Sequence, residues 1–158
     1  MVSVCMEIET TRDIARQVLR HRSFSFQEFS QRYARPEEMG EGWPFVVREA
    51  RLQDTKNRQN SIATDDELLQ QHWIQQQKKV IATAQGAYNW AIDNGIAKEQ
   101  ARCVLPEGNT ISRMYMNGTL RSWLHYIDLR RSNGTQQEHA DIALVCADVI
   151  SKIFPIEL

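Results

Sequence analysis

Residues 20–33 read RHRSFSFQEFSQRY and bring three arginines, a histidine, a glutamate and three phenylalanines into one short segment. A merely solvated surface does not need so many aromatic residues, so the segment is expected to pack as well as to carry charge. The preceding residues 11–22 have an amphipathic pattern, with Ile14 and Val18 four positions apart, which predicts a helix. Cations at its C-terminal end would suit the helix dipole. One interpretation is therefore a basic helix terminus followed by a turn.

The residues that follow favour a second interpretation, a nucleotide site. Glu28, Ser30 and Arg32 alternate with Phe29, Gln31 and Tyr33, so an extended segment would point the polar trio to one side. Guanidinium groups are forked donors suited to phosphate, and glutamate and serine can hydrogen-bond ribose or base edges. The segment therefore predicts contacts with a nucleotide.

Length and composition predict a single domain spanning residues 1–158. The sequence has 25% charged residues and a formal net charge of -1, and its basic residues form no long stripe, which argues against nucleic acid as a partner. Apolar runs are too short to cross a bilayer and the N-terminus has no signal-peptide pattern, so we expect a cytoplasmic protein without membrane contact. Cys5, Cys103 and Cys146 are widely spaced among apolar neighbours and are expected to be reduced core residues. No zinc spacing occurs, so no metal is expected.

The pattern along the chain predicts a helix-rich α+β fold in which mixed helices pack on a small antiparallel-type sheet. The predicted elements are a strand over residues 2–9, a helix over 11–22, a loop over 36–44, a strand over 45–52, a polar loop over 53–61, a long helix from a capping box at 64–67 to 94–95, a short helix over 98–104, a strand over 110–117, a helix over 120–130 and a last helix from a capping box at 135–138. The predicted inward stripes are Leu69, Trp73, Val80, Ala84, Ala87 and Ala91 on the long helix, Leu120, Leu124 and Ile127 on the next, and Ile142, Cys146, Val149 and Ile153 on the last.

The spacing within residues 20–33 resembles the signature of the flavin-dependent thymidylate synthases, the ThyX family. Arg-His-Arg is followed by seven residues and Ser30, with Glu28 two positions before that serine and Arg32-Tyr33 two positions after it. Residues 102–106, RCVLP, are similar to the family's Ala-Arg-x-x-Leu-Pro element. Residues 117–130, with Gln136 and Glu138 beyond them, are similar to its C-terminal half.

Each of these elements also has a plainer explanation. Arg102 could be a cation at a helix end, and Arg121 with His125 could be an exposed pair one turn apart. Glu138 could equally be a helix-cap residue. The order and spacing of the three elements favour a site role for Arg102 and Arg130.

The resemblance implies reductive methylation of dUMP to dTMP with FAD, NADPH and methylenetetrahydrofolate, in which reduced flavin delivers the hydride and no cysteine attacks the uracil. The positions that it matches to dUMP are Gln17, Glu28, Ser30, Arg32, Arg102 and Arg130. Those that it matches to FAD are Arg20, His21, Arg22, Ser23, Glu28, Asn117, Arg121 and His125. Arg130 suits a catalytic role, because a guanidinium can stabilise negative charge that develops on the pyrimidine. Ser30 has no assigned base, so it is expected to bind rather than to act as a nucleophile.

The resemblance also implies a homotetramer whose active sites are shared between subunits. Members usually carry a further N-terminal region with a histidine-containing flavin motif before the strand with which this sequence begins. The sequence is therefore expected to be a short form, a fragment or half of a split protein. Two function classes follow: a dTMP-forming flavoenzyme, or a non-catalytic or impaired relative that binds a nucleotide or flavin. A helical interaction protein whose arginines contact a partner is a third, plainer alternative.

Overall fold

A small sheet with helices packed on it makes up the fold; the computed structural model describes residues 2–132 and 134–155. Within them five strands and five α-helices follow in the order β1 (Ser3–Thr11), α1 (Arg12–Val18), β2 (Ser25–Glu28), β3 (Arg51–Gln53), β4 (Ser61–Ala63), α2 (Glu67–Asp93), α3 (Lys98–Ala101), β5 (Ile111–Thr119), α4 (Leu120–Arg130) and α5 (Gln137–Ile153). Short 3-10 helices occupy Pro36–Met39 and Arg102–Val104. The predicted helix-rich α+β class is confirmed.

β5 is the central strand of a three-stranded antiparallel sheet with the order β1-β5-β2. β1 pairs with β5 along its whole length, and β2 pairs with it from Ser25↔Asn117 to Glu28↔Met114. Side chains alternate between the two faces of β5, and Met114 and Met116 are fully buried on the core face. The sheet therefore anchors the middle of the 20–33 segment beside its central strand.

The helices α1, α4 and α5 cover the core face of this sheet. Trp123 and Ile127 of α4, Ile14 of α1 and Ile150 of α5 are fully buried in one cluster with the methionines of β5. The Trp123 indole donates a hydrogen bond of 3.0 Å to the Val4 carbonyl of β1, which satisfies its one polar atom. This packing brings the C-terminal ends of α1 and α4 and the start of α5 together.

Gly118 allows the Phe24 ring to pack against the sheet. A Cβ added at Gly118 would lie 2.5 Å from Phe24 Cδ1, which is closer than van der Waals contact allows. The Phe24 ring in turn meets Trp123 edge-on, with ring centroids 4.9 Å apart. The turn before β2 is therefore fixed by aromatic packing.

A smaller core joins α2 to α3. Tyr88 and Ala91 of α2 pack with Ala101 and Leu105, and Trp43 lies against them. Gln70 and Gln77 of α2 instead hydrogen-bond the backbone of residues 48–50, with distances of 2.7 to 2.9 Å. These glutamines take the place of a partner strand.

The predicted helix over residues 11–22 is too long. α1 ends at Val18, and the amides of Arg20 and His21 donate to carbonyls three residues back, as in a turn. Arg20, His21 and Arg22 therefore follow the helix instead of ending it. The chain must reverse here to bury Phe24 and to pair β2 with β5.

The predicted extended segment through residue 32 is also wrong. β2 ends at Glu28, and the Ser30 carbonyl accepts from the amides of Tyr33 and Ala34, both at 3.2 Å. Glu28, Ser30 and Arg32 consequently do not share one face of a strand.

The predicted strand over residues 45–52 and the loop over 53–61 need correction as well. Phe45 makes only an isolated bridge to Thr110, and the paired strand starts at Arg51. The polar stretch turns and returns as β4, so β3 and β4 form a hairpin. Residues between Phe45 and Arg51 form no strand, because side chains of Gln70 and Gln77 in α2 bond to the backbone N–H and C=O groups that a neighbouring strand would otherwise pair with.

Both predicted capping boxes are wrong in register. Asp66 caps α2, with its carboxylate accepting from the Leu69 amide at 2.9 Å, and Thr64 lies two residues earlier. α5 begins after Gln136, which makes no side-chain cap bond. Thr135 therefore caps no helix.

The inward stripes are confirmed in part. Ala84, Ala91, Ile127 and Cys146 are buried. The predicted members that are exposed are Leu69, Trp73, Val80, Ala87, Val149 and Ile153, and those that are partly buried are Leu120, Leu124 and Ile142. The predicted stripe fails in the N-terminal half of α2 because this half packs against neither core. On α5 it fails in part because an inward position is taken by a polar residue, His139.

The three cysteines are free thiols, as predicted, but only Cys146 is buried. Cys5 is exposed because β1 alternates and turns this position away from the core. Cys103 is exposed in the 3-10 helix after α3. No helix within residues 2–132 and 134–155 is long and apolar enough to cross a membrane.

Candidate active site

Six polar side chains meet where α1 ends, α4 ends and α5 begins. We name them the polar cluster; they are Gln17, His21, Tyr126, Arg130, Gln136 and His139. Gln17, His21 and Arg130 are predicted site residues. The fold therefore brings these three predicted positions together.

Arg130 is held in the polar cluster by His21. Its Nε donates to His21 Nε2 at 2.9 Å, so that ring nitrogen carries no proton. Burial, the charge of Arg130 and that of His125 lower the pKa of His21 to about 4. A neutral His21 can thus accept from Arg130 at neutral pH, and it leaves the terminal guanidinium nitrogens available for a ligand.

Gln17 and Gln136 link the polar cluster to Glu138 and Arg51. Gln17 Nε2 donates to Gln136 Oε1 at 2.8 Å, and Gln136 Nε2 donates to Glu138 Oε2 at 2.9 Å. Glu138 also accepts from Arg51 of the β3–β4 hairpin. Glu138 lies in the first turn of α5, where a negative charge is favourable, so the helix-end interpretation and the network role coexist.

Two buried polar atoms of the polar cluster have no hydrogen-bond partner among the described residues. They are Tyr126 Oη and His139 Nε2. The two rings lie 5.8 Å apart between centroids. Burial is the main cause that raises the pKa of Tyr126 and that lowers the pKa of His139 to about 4, with Arg130 and His21 lowering the latter further. Both groups are therefore uncharged at neutral pH.

A second group of predicted residues lies between the turn after β2 and the end of α3. Arg32 approaches Glu99 with N to O of 3.5 Å, and Arg102 Nε donates to the Glu99 carbonyl at 3.3 Å. Ser30 begins the turn that carries Arg32. In the part of the chain that the structure describes, no hydrogen bond or ion pair links Arg32 or Arg102 to the polar cluster. Within the described residues, the polar cluster and the residues around Glu99 are therefore not bonded to each other.

Glu28, on β2, is hydrogen-bonded to neither of these groups within the described residues. Its Oε1 accepts from Ser112 at 2.7 Å and from Arg12 at 3.3 Å. Its Oε2 makes no hydrogen bond within residues 2–132 and 134–155. Internal contacts therefore orient this carboxylate and leave one oxygen for a ligand.

Most residues that the sequence predicts near FAD are exposed. They are Arg20, Arg22, Ser23, Asn117, Arg121 and His125. Asn117 lies in register with Ser25 of β2, near the junction of β5 and α4. These side chains are available to solvent or to a bound molecule, in contrast to half-buried His21.

Most of the predicted arginines make no ion pair among the described residues, and Arg32, which approaches Glu99, is the exception. The arginines that pair with a carboxylate are Arg12, Arg16, Arg32, Arg35, Arg48, Arg51, Arg113 and Arg131. Among the described side chains, those that make no such pair are Arg20, Arg22, Arg58, Arg102, Arg121 and Arg130. All of these except Arg58 are predicted site residues. A guanidinium without an internal partner keeps its charge and its fork for an anion.

An open cavity of about 590 Å³ lies beside the polar cluster. The β3–β4 hairpin, the start of α5 and the exposed Trp73 of α2 line it, and it reaches Gln136. Arg48 and Arg51 also face it. Its wall therefore combines cationic and aromatic side chains.

Sequence reasoning missed His139 and Tyr126. His139 is fully buried and shares the inward face of α5 with Ala143, Cys146 and Ile150. The predicted inward stripe on α5 included only apolar residues, and so it left out this histidine. The signal was a histidine directly after Glu138, within a motif that the resemblance already included.

The chain is similar over nearly its whole length to flavin-dependent thymidylate synthases. It is 51% identical over 150 residues to a probable flavin-dependent thymidylate synthase of Paramecium bursaria Chlorella virus 1, with 95% of this chain and 67% of the relative covered. It is 48% identical over 155 residues to the flavin-dependent thymidylate synthase of Synechocystis sp., with 98% and 69% covered.

A solved structure and a family profile agree with these relatives. The fold superimposes with a TM-score of 0.84 and 25% identity on a UMP/dUMP methylase, PolB from Streptomyces cacaoi bound with 5-Br UMP, with 97% of this chain and 70% of that chain covered. The profile of thymidylate synthase complementing proteins matches residues 1–156. The chain therefore belongs to the thymidylate synthase complementing protein family, the family of the flavin-dependent thymidylate synthases.

Proposed function

We propose that this chain is a flavin-dependent thymidylate synthase that converts dUMP into dTMP with methylenetetrahydrofolate, FAD and NADPH. The observation that carries the proposal is that, in a chain of this family, five motif arginines have no carboxylate partner among the described residues. They are Arg20, Arg22, Arg102, Arg121 and Arg130. Family membership favours this activity over a non-catalytic relative, since the similar proteins carry the name of the enzyme.

In this proposal dUMP contacts both groups of predicted residues. Arg102 and Arg32 pair with its charged oxygens, since both are forked donors near one turn. The Ser30 hydroxyl donates or accepts a hydrogen bond at the same nucleotide, and the Glu28 carboxylate accepts one. Gln17 and Arg130 approach it from the polar cluster.

Arg130 is the residue that acts on the reacting pyrimidine. Its Nε is occupied by neutral His21, so its charge is oriented and the terminal nitrogens face outward from that bond. A preorganised cation of this kind stabilises negative charge on the uracil as reduction proceeds, at little reorganisation cost. His21 supports it without competing for a proton.

The exposed donors around the turn after α1 fit FAD. Arg20, Arg22 and Arg121 are cationic and unpaired among the described residues, which suits a pyrophosphate, and Ser23, Asn117 and His125 add further hydrogen-bond donors. Bound FAD, reduced by NADPH, supplies the hydride of the reaction. Methylenetetrahydrofolate would supply the one-carbon unit and leave as tetrahydrofolate, and the uracil carbon that accepts the unit would lose a proton.

We further propose a homotetramer in which the active site is shared between subunits. The two groups of dUMP residues have no bond to each other within one described chain, so residues of a second copy would complete the site. The exposed apolar side chains of α2, which include Trp73 and Val80, offer a surface for that copy. Light scattering should report an oligomer at micromolar concentration, and a stable monomer that turns over would contradict the shared site. We also expect one domain over residues 1–158 and a cytoplasmic location.

The binding half of the proposal is tested by melting temperature. FAD and dUMP should each raise it, because a ligand at about 100 times its Kd adds roughly 2.7 kcal/mol to the free energy of unfolding. Deoxyuridine, which lacks the phosphate, is the matched control and should give a much smaller shift. No shift with either nucleotide at millimolar concentration would refute the assigned site.

A further inference from the structure

We propose that His139 is a positioning residue that orients the side-chain amide of Gln17 and thereby sets the affinity for dUMP. The inference rests on the proposed contact between Gln17 and dUMP. It assigns to His139 a donor role that can be measured in the protein without any ligand.

The orientation follows from a chain of hydrogen bonds that begins at Glu138. This carboxylate accepts from Arg51 and lies 4.0 Å from Arg48 Nε, so it is held as an anion and can only accept. Gln136 must therefore present its Nε2 to Glu138, at 2.9 Å. Its Oε1 is then the atom that accepts from Gln17 Nε2, at 2.8 Å.

The chain of hydrogen bonds continues from Gln17 to His139. Because Gln17 Nε2 faces Gln136, Gln17 Oε1 faces His139 Nδ1, at 3.3 Å. A carbonyl oxygen only accepts, so the proton of the neutral imidazole lies on Nδ1. The side-chain amides of Gln17 and Gln136 thus each have one favourable orientation, and His139 is the last, fully buried donor of the network.

The alternative, a purely structural His139, leaves one observation unexplained. His139 is fully buried, and its Nε2 has no partner among the described residues. An apolar side chain would fill this position on α5 without an unsatisfied polar atom. The Nδ1–H donor to Gln17 accounts for a histidine at this position.

Variants at residue 139 distinguish the effect of the Nδ1–H donor from the effect of side-chain size. His139→Leu fills space but removes the donor, and dUMP binding measured by calorimetry should weaken about fivefold, the effect of one neutral hydrogen bond. His139→Asn places an amide N–H near the position of Nδ1 and should restore most of the affinity. Unchanged affinity in His139→Leu, or equal weakening in both variants, would overturn the proposal.

A double-mutant cycle tests whether His139 acts through Gln17. In a Gln17→Leu background, His139→Leu should cause almost no further loss of dUMP affinity, because the amide that it orients is gone. An equal, additive loss in that background would assign His139 a structural role and overturn the proposal.

Nitrogen NMR of the wild-type protein supplies a readout that needs no ligand. Above pH 6.5 the His139 ring should show a protonated Nδ1 and an unprotonated Nε2. The opposite tautomer would overturn the proposal even if dUMP binds. Failure of the wild-type protein to bind dUMP would instead refute the proposed function, while the tautomer would still test the orientation of Gln17.

Discussion

Replacement of Arg130 by methionine tests the site most informatively, because it keeps the stem of the side chain and removes the charge and the fork. Arg130 donates to His21 and lowers the pKa of both His21 and His139. In Arg130→Met both pKa values should rise from about 4 toward the ordinary 6.5. Burial is the larger cause in each case, so the rise should cover the smaller part of that gap. Each pKa unit corresponds to about 1.4 kcal/mol.

The same variant should lose catalysis beyond its loss of affinity. Removing a hydrogen bond to a charged ligand should weaken dUMP binding by about 1.5 to 3 kcal/mol. Removing a preorganised cation from the developing charge should lower turnover by roughly 10² or more in addition. Calorimetry with dUMP and turnover at saturating dUMP separate these two effects.

Arg131→Met is the matched control for this prediction. Arg131 is the next residue, but its guanidinium is exposed and pairs with Asp128 at 2.8 Å. Exposed pairs of this kind contribute about 0 to 1 kcal/mol. NMR titration of the histidine ring protons should therefore show no change in Arg131→Met. Unmoved histidine pKa values in Arg130→Met, or equal shifts in both variants, would refute the assigned network.

Three further predictions concern acid stability, packing and affinity. Because the pKa of His139 is about 4 in the folded protein and 6.5 as the ordinary value, the unfolded chain binds a proton that the folded chain does not as the pH falls between them. Below pH 6.5, His139 should thus lower the free energy of unfolding, measured in urea, by up to about 1.4 kcal/mol for each unit that the pH falls. In His139→Asn the free energy of unfolding should depend less steeply on pH. Identical slopes in the two proteins would contradict this prediction. Gly118→Ala, whose Cβ would meet an aromatic ring at 2.5 Å, should lower stability by about 1 to 3 kcal/mol. Gly86→Ala, in the exposed middle of α2 with no atom within 4 Å, should raise it by up to about 1 kcal/mol, and equal melting temperatures would count against the packing described. Arg102→Ala should weaken dUMP binding by about 1.5 to 3 kcal/mol. Arg58, which also makes no ion pair within residues 2–132 and 134–155 but lies outside the motifs, is the control, and Arg58→Ala should leave the affinity unchanged in calorimetry.

Local patterns predicted those elements whose periodicity agrees with their packing. The alternation in β1 and the helical period of α4 identified both elements, and the strand β5 was found within two residues of its ends. The end of α1 was not predictable, because residues 19–22 continue a helical pattern. Burial of Phe24 against Gly118 decides where that helix stops, and this contact joins residues far apart in the sequence.

The hairpin and the buried polar residues escaped prediction for related reasons. Backbone groups of residues 48–50 are satisfied by glutamines of α2, and no local rule anticipates such a substitute for a strand. His139 occupies an inward position that hydrophobic patterns assign to apolar residues. The motifs indicated Gln17, Arg102 and Arg130, but only the fold shows that Gln17 and Arg130 belong to the polar cluster whereas Arg102 bonds to the Glu99 carbonyl.

Release of tritium from dUMP labelled at the methyl-accepting carbon tests the central claim most directly. That carbon must lose its hydrogen when the one-carbon unit is attached, so the purified protein with FAD, NADPH and methylenetetrahydrofolate should release tritium into water and form dTMP. Omission of FAD should abolish both products, and a variant in which Cys5, Cys103 and Cys146 are all replaced by serine or alanine should retain activity if it folds. Binding of FAD and dUMP without tritium release would show a non-catalytic relative and contradict the proposed activity.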